Sequence, residues 1–466
     1  MMKKTVLFFL LMAWPIMQSS AQVFSFDEYI SIIRENHPVA RQAAIQTELG
    51  AAQQLMARGG FDPKIDAAYD HKSFDGKNYF RTAGAQLKIP TWFGIEFKGG
   101  YERASGQYLD NSDFLPPMGL WNAGVSITLG KGLIIDERRA LLKQAEVFFR
   151  ATEQERRLLL NQLFFEATLS YLEWQGARQG LNIAREGLQL AITRFEQTKS
   201  GFVNGDLPAI DTLEAFMAVQ SREQLLIEMQ QDLVKARQRV EMFLWEDGFI
   251  PLEMNDGTLP EGMEPGFLRE QTEEVVIDET ALIDNHPELL RAQLKIDQLE
   301  IDRKLQVEAL KPDLRVSYQP LVATTEDALF ASPSIRNYKF GASFAYPLFT
   351  RKERGKVRMT DLKLMESSLD LENKRWSIQT KLKAYRNELE LLYNRVNLAD
   401  EIRANADLMR LAEYRKFDIG ESSVFLVNSR EVKFLESRLK LVETQIKLIQ
   451  TRIMYLYLAG QLPGIV

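Results

Sequence analysis

Two long stretches of the chain contain no proline, and this constrains the fold more than any other feature: Pro116 and Pro117 are followed by none until Pro208, and Pro347 by none until Pro463. Proline removes an amide donor and clashes with the preceding turn, so each gap leaves room for very long helices. Periodicity fills that room. Leu163, Ala167, Ser170, Trp174, Ala177, Leu181, Ala184, Leu188, Ala191 and Phe195 follow one another at alternating steps of four and three. Ile378, Leu382, Tyr385, Leu389, Leu392, Val396 and Ala399 repeat the pattern, as do Leu435, Leu439, Val442, Ile446, Ile449, Ile453 and Leu456. Sustained heptads predict helices packed lengthwise as coiled coils. A helix from Glu137 to Gly201 is roughly 100 Å long at about 1.5 Å per residue, too long for a compact domain.

The chain also repeats itself, a feature that governs architecture wherever it occurs. Ile33-Arg34-Glu35-Asn36-His37-Pro38 recurs as Leu282-Ile283-Asp284-Asn285-His286-Pro287. The spacing from His37 to His286 also separates Ala43 from Ala292, Pro63 from Pro312 and Tyr69 from Tyr318. Later landmarks match at shorter spacings, Gly124-Val125-Ser126 with Gly341-Ala342-Ser343 and Phe202-Val203-Asn204-Gly205 with Phe417-Asp418-Ile419-Gly420. The first copy therefore carries a longer loop region. Repeat 1, over 22–248, reads as a helix, strands at about 64–129 and a long helical hairpin at about 136–247 turning at Gly205. Repeat 2, over 275–466, reads as a helix, strands at about 314–346 and a hairpin at about 352–459 turning at Gly420. Residues 249–274, with Pro251, Pro260 and Pro265, link the two, and Leu462-Pro463-Gly464 is expected to stop the last helix.

Residues 1–21 read as a secretory signal peptide: positive charge at Met1 to Lys4, an apolar stretch from Val6 to Met17, and small residues at Ser19 and Ala21. The mature chain is expected to start at Gln22 and to leave the cytoplasm. Beyond it no stretch approaches the roughly 20 apolar residues of a membrane-spanning helix, so a membrane role needs strands. The absence of cysteine excludes disulfides, thiolate metal sites and a lipidated N-terminal cysteine. A net charge of -6 argues against nucleic acid as a partner. There is no nucleophile constellation, phosphate loop or metal spacing, so the expectation is no enzyme, no catalytic or metal site and no cofactor. His37 and His286 read as helix starts, with Pro38 and Pro287 near the first helical position, where a missing amide proton costs nothing. A metal-ligand or general-base role for them has no clustered acidic partner in its favour, and His71 falls in a strand.

The strand signal is alternation. Ile65, Ala67 and Tyr69 alternate with Asp66, Ala68 and Asp70; Ala123, Val125, Ile127 and Leu129 alternate with Asn122, Gly124, Ser126 and Thr128. In the second copy Val316 and Tyr318, then Tyr338, Phe340, Ala342, Phe344 and Tyr346, alternate with smaller or polar residues. One apolar and one polar face is what a barrel wall between lipid and a wet lumen requires; a soluble sheet with one buried face shares the pattern. Four strands, or six if the segments near Phe80 to Lys88 and Ile95 to Tyr101 pair in, fall short of the roughly eight of the smallest membrane barrel. The barrel must then be shared between subunits, and a threefold assembly of four strands per chain has twelve. Ile89-Pro90-Thr91-Trp92-Phe93-Gly94 reads as a turn, and the inserted segment at 79–103 either adds strands or forms an extracellular hairpin. Ser105 to Gly119 reads as an extracellular loop; Trp92 and Trp121 suit either an interfacial aromatic belt or a core.

Along nearly all its mature length the chain resembles the TolC-like outer-membrane efflux proteins. The resemblance is carried by the paired Asn36-His37-Pro38 and Asn285-His286-Pro287 starts, the strand-to-helix segments Gly124 to Arg139 and Gly341 to Arg358, the paired Phe-x-x-Gly turns ending at Gly205 and Gly420, and Tyr346-Pro347-Leu348-Phe349 before the last long helix. It implies a mixed α and β membrane protein: a homotrimer whose 12-stranded outer-membrane β-barrel is continued by a long α-helical coiled-coil barrel in the periplasm, with residues 249–274 in an equatorial region. It further implies contact with outer-membrane lipid, docking to a periplasmic adaptor and, through it, to an inner-membrane pump, so that the chain serves as exit duct of a tripartite efflux or type I secretion system. The docking tips by this resemblance are Phe202, Gly205, Asp206, Phe417, Gly420 and Glu421. Some members narrow the tunnel with acidic residues six and nine positions after the second turn glycine. This chain departs there, with Leu426 and Ser429, while the first copy holds Asp211 and Glu214, which read either as a periplasmic aperture or as solvated helix charge. The rival class is a secreted or cell-envelope coiled-coil structural or adhesive protein without channel activity. A periplasmic adaptor also has helical hairpins but needs no duplicated strand pairs.

Overall fold

The computed structural model describes residues 23–109, 114–255, 257–262, 279–324 and 334–465; the expected signal peptide 1–21, the loop residues 110–113 and the linker residues 263–274 lie outside them. In chain order the elements are β1 (Val23–Phe24), α1 (Phe26–Asn36), α2 (Pro38–Arg58), β2 (Lys64–Phe74), β3 (Lys77–Pro90), β4 (Ile95–Ser105), β5 (Leu120–Thr128), α3 (Glu137–Val203), α4 (Ala209–Glu241), β6 (Trp245–Glu246), β7 (Ile250–Pro251) and β8 (Leu259–Pro260). The second half follows with α5 (Glu279–Asp284), α6 (Pro287–Glu308), β9 (Asp313–Ala323), β10 (Tyr338–Ala345), α7 (Arg351–Asp418), α8 (Val424–Leu458) and α9 (Leu462–Ile465). The long helices α3 and α7 have 67 and 68 residues, each filling a proline-free gap.

The Asn-His-Pro segments do start helices, and the histidines are part of the start. His37 Nδ1 accepts the amide of Val39 (3.1 Å), and His286 Nδ1 accepts that of Glu288 (3.2 Å), so each buried imidazole satisfies a donor that the first turn leaves orphaned. Burial holds His37 below the usual imidazole range, which favours the neutral form that this acceptor role needs, against a smaller opposing pull from Glu166.

Two compact units cut across the two repeats: the described residues within 1–41, 160–276 and 381–466 form one, and those within 42–159 and 277–380 the other. In the first, the heptad seam of α3 is buried at Leu163, Ala167, Trp174, Leu181, Ala184 and Ala191. The chain start packs on it: β1 pairs in parallel with β8, Tyr171 donates to the carbonyl of Phe24 (2.6 Å), and the Tyr29 and Tyr171 rings stack at 5.4 Å. Burial raises both phenols far above their ordinary range. The helix α8 ends at Leu458 because Gly460 takes a φ of +69° while its amide and that of Gln461 satisfy the carbonyls of Tyr457 and Leu456 (2.9 and 3.1 Å). Leu462-Pro463-Gly464 is thus not the stop expected from the sequence. It forms α9, with Leu462 fully buried and its amide on Asn161 (3.3 Å).

The second unit holds one six-stranded sheet in the order β10-β9-β5-β4-β3-β2, antiparallel throughout. Of the two counts that the sequence left open, four or six strands per chain, the sheet has six. The inserted segment pairs as β3 and β4 between β2 and β5, because both strands carry the same alternation as their neighbours and so match them face to face. Its turn is shorter than read, since Ile89 and Pro90 still belong to β3. Thr91 closes it, amide and hydroxyl both donating to the carbonyl of Ile95 (3.1 and 2.6 Å).

Candidate membrane wall and hairpin tips

Strand register decides which residues share a face of the sheet, because side chains alternate strictly along each strand. The pairs Ile65 with Leu87, Ile89 with Phe97, Phe97 with Val125, Val125 with Tyr318, and Tyr318 with Phe340 carry one apolar face from edge to edge. The opposite face is polar: Asp66 with Gln86, Lys88 with Lys98, Glu96 with Ser126, Ser126 with Ser317, and Gln319 with Lys339. Burial is the reverse of a water-soluble protein. On the apolar face Ile65 is 76% exposed, Tyr69 66% and Phe344 70%, while on the polar face Asn122 and Ser126 are only 7% and 5% exposed. A sheet whose apolar face is exposed in this way has the pattern of a membrane barrel wall and favours it over a soluble sheet with one buried apolar face.

Both ends of the sheet carry aromatic rings. Tyr101 and Trp121 pack at 4.9 Å, and the Tyr101 hydroxyl donates to the carbonyl of Met118 (2.6 Å), just before β5. At the opposite end the turn between β3 and β4 projects Trp92, 74% exposed, edge-on to Phe93 (5.5 Å). Of the two readings for these tryptophans, exposure favours the belt for Trp92. Among the described residues no helix is long and apolar enough to cross a membrane.

The hairpin tips are built alike. Gly205 has φ +83° and Gly420 +78°, and each follows the last helical turn with the same pair of closing bonds. The amides of Gly205 and Asp206 donate to the carbonyls of Phe202 and Gly201 (3.0 and 2.9 Å); those of Gly420 and Glu421 donate to Phe417 and Lys416 (3.0 and 2.8 Å). Two of the carbonyls near each helix end are thereby satisfied, and the chain reverses into α4 after Pro208 and into α8 after Ser423, whose hydroxyl accepts the amide of Leu426 (3.3 Å). The two phenylalanines differ in setting. Phe202 is exposed, whereas Phe417 is half-buried with the Arg194 guanidinium 5.8 Å from its ring centre.

Asp211 and Glu214 lie half-buried in the first turns of α4, and Glu214 is held above the usual carboxylate range by burial and by the charge of Asp211. A second charged group went unread in the sequence. Arg194 and Glu431 form an ion pair at 3.0 Å, both almost fully buried, with the Tyr414 hydroxyl also on Glu431 and its ring 4.3 Å under the guanidinium. Burial, then Glu431, pushes the Tyr414 phenol up to about 12. The signal was faint: Arg194 stands beside the seam between Ala191 and Phe195, and Glu431 sits one turn before Leu435. No group of His, Asp or Glu among the described residues is placed to hold a metal ion.

No family model matches the sequence, and no curated protein does. By structure the chain is similar to the CmeC outer membrane channel of Campylobacter jejuni, with 12% identity and a TM-score of 0.63 over 93% of this chain and 85% of that one. It is similar to the MtrE outer membrane channel of Neisseria gonorrhoeae, solved in an open state, with 14% identity and a TM-score of 0.64 over 93% and 89%. The outer membrane protein VceC of Vibrio cholerae matches with 13% identity and a TM-score of 0.64 over 93% and 95%. Few residues are shared, but nearly the whole length of each chain follows one path: the protein has the fold of the TolC-like outer-membrane channels.

Proposed function

We propose that three copies of this chain form an exit duct in the outer membrane, its sheet in the bilayer and its long helices in the periplasm. The observation that carries the reading is the sheet's apolar face, which stays exposed at Ile65, Tyr69, Leu87, Phe97, Tyr318, Phe340 and Phe344, while Asn122 and Ser126 on the polar face are buried. A single chain leaves that sheet open at both edges, and a bilayer admits strands only in a closed barrel, so copies must complete one another. Unpartnered heptad stripes on the helices support the same conclusion. Ile210, Leu213, Met217, Ile227 and Val234 on α4, and Leu362, Met365, Leu369 and Trp376 on α7, stand exposed in coiled-coil phase, ready for helices of neighbouring copies.

The tips at Phe202, Gly205, Asp206, Phe417, Gly420 and Glu421 would dock a periplasmic adaptor and, through it, an inner-membrane pump of a tripartite efflux or type I secretion system. Apolar side chains around the tips, among them Val203, Ile419 and Phe425, are exposed and suit such a contact. A secreted coiled-coil adhesin gives the exposed apolar sheet face no role. Fractionation tests the reading: trimers that resist detergent until heated should appear in the outer-membrane fraction, and monomers in the soluble fraction would overturn it.

A further inference from the structure

Strand direction makes the open sheet self-complementary. β2, β4 and β9 run away from the helices, and β3, β5 and β10 run back toward them, so the two edges, β2 and β10, are antiparallel to each other. A copy placed head to tail therefore continues the sheet with the pairing found inside it, with no change of pattern at the seam. Both edges are bare. Every residue of β2 is exposed, as are all but one of β10, and an open ladder of amides and carbonyls in lipid is costly until it is paired.

The faces agree with the edges. β3 and β4 put Ala83, Ala85, Leu87 and Ile89, then Ile95, Phe97 and Tyr101, on the apolar face, in register with β5 on one side and β2 on the other. Their polar residues Gln86, Lys88, Glu96 and Lys98 join the opposite face. A hairpin lying outside the membrane has no reason to keep this alternation over strands of 14 and 11 residues, lengths that span a bilayer when tilted.

Resting on the trimeric reading above, we infer that all six strands of each copy lie in the wall, that β2 of one copy pairs with β10 of the next, and that the barrel closes with eighteen strands rather than twelve. At about 4.8 Å between strands and about 40° of tilt, the backbone diameter rises from about 24 Å to about 36 Å. Eighteen strands fall in the range where barrels leave an aqueous channel instead of filling with side chains. The extra hairpin thus widens the outer mouth and admits bulkier cargo there, leaving selection to the helical end.

The lack of native cysteine makes the test clean. The double variant Tyr69→Cys with Phe340→Cys places thiols on β2 and β10, both on the apolar face; Gly99→Cys with Phe340→Cys places them on β4 and β10, at a glycine with room for the new side chain. With a short bismaleimide, the first pair should link copies in outer-membrane trimers into covalent dimers and trimers, and the second should not. Linking by the second pair would mean a wall that leaves β2 and β3 out, and linking by neither in a membrane-embedded trimer would equally overturn the proposal. A cryo-EM map in nanodiscs should show eighteen strands; twelve in a trimer defeats this inference alone, whereas a chain that never enters the membrane defeats the duct reading itself.

Discussion

At Gly205 and Gly420 nothing lies within 4 Å of where a Cβ would sit, so what forbids other residues there is backbone conformation and not space. A β-branched side chain at φ near +80° costs on the order of 1–3 kcal/mol. Gly205→Val with Gly420→Val should therefore leave the trimer in the outer membrane, speed hydrogen exchange in the two tips and abolish crosslinking to the adaptor; unchanged crosslinking would remove the tips from the docking account. The pair Arg194 and Glu431 gives a different residue-scale test. Both side chains are almost fully buried, so Glu431→Ala leaves a guanidinium without its counter-charge and should cost about 3–5 kcal/mol in denaturant unfolding. Arg194→Met with Glu431→Leu should cost less than either single change, since nothing charged is left stranded. Arg194 and Glu431 were legible only as charges beside or in line with the heptad seams; that they meet depends on how α3 and α8 pair, which no local sequence signal encodes.

Among elements, the sheet is the most exacting. An arginine at mid-strand on the lipid face costs about 2–4 kcal/mol in a membrane barrel, whereas the lumen face tolerates charge. Val125→Arg should sharply lower the yield of heat-modifiable trimer, and Ser126→Lys, its neighbour on the opposite face, should lower it far less; equal effects would mean that the two faces are not lipid and water. The helices and tips were legible because heptads, proline gaps and Phe-x-x-Gly turns are local patterns that appear twice. β3 was harder: Thr82-Ala83-Gly84-Ala85 alternates between small residues with little contrast in polarity, and only its register with β2 and β4 shows which face each belongs to. The end of α8 was read to within a residue, at about 459 against Leu458, but Leu462-Pro463-Gly464 drew the stop signal that Gly460 supplies.

For the whole molecule, the proposed threefold assembly would turn single side chains into rings. Three copies of Asp211 and Glu214 would set like charges around one axis, drawing cations and repelling anions. Because burial and the neighbouring charge of Asp211 hold Glu214 above the usual carboxylate range, the Glu214 carboxylates should begin to lose charge at a higher pH than free glutamate does. Cation selectivity should fall as pH is lowered toward the carboxylate range, beginning above the pH at which a free glutamate protonates, and Glu214→Gln should remove that early loss. All of this presupposes a continuous aqueous path through an assembly embedded in lipid. Recording from the purified protein in planar lipid bilayers tests that most directly: discrete, reproducible conductance steps are expected from the trimer, and trimers that insert into the bilayer yet pass no current would contradict the account.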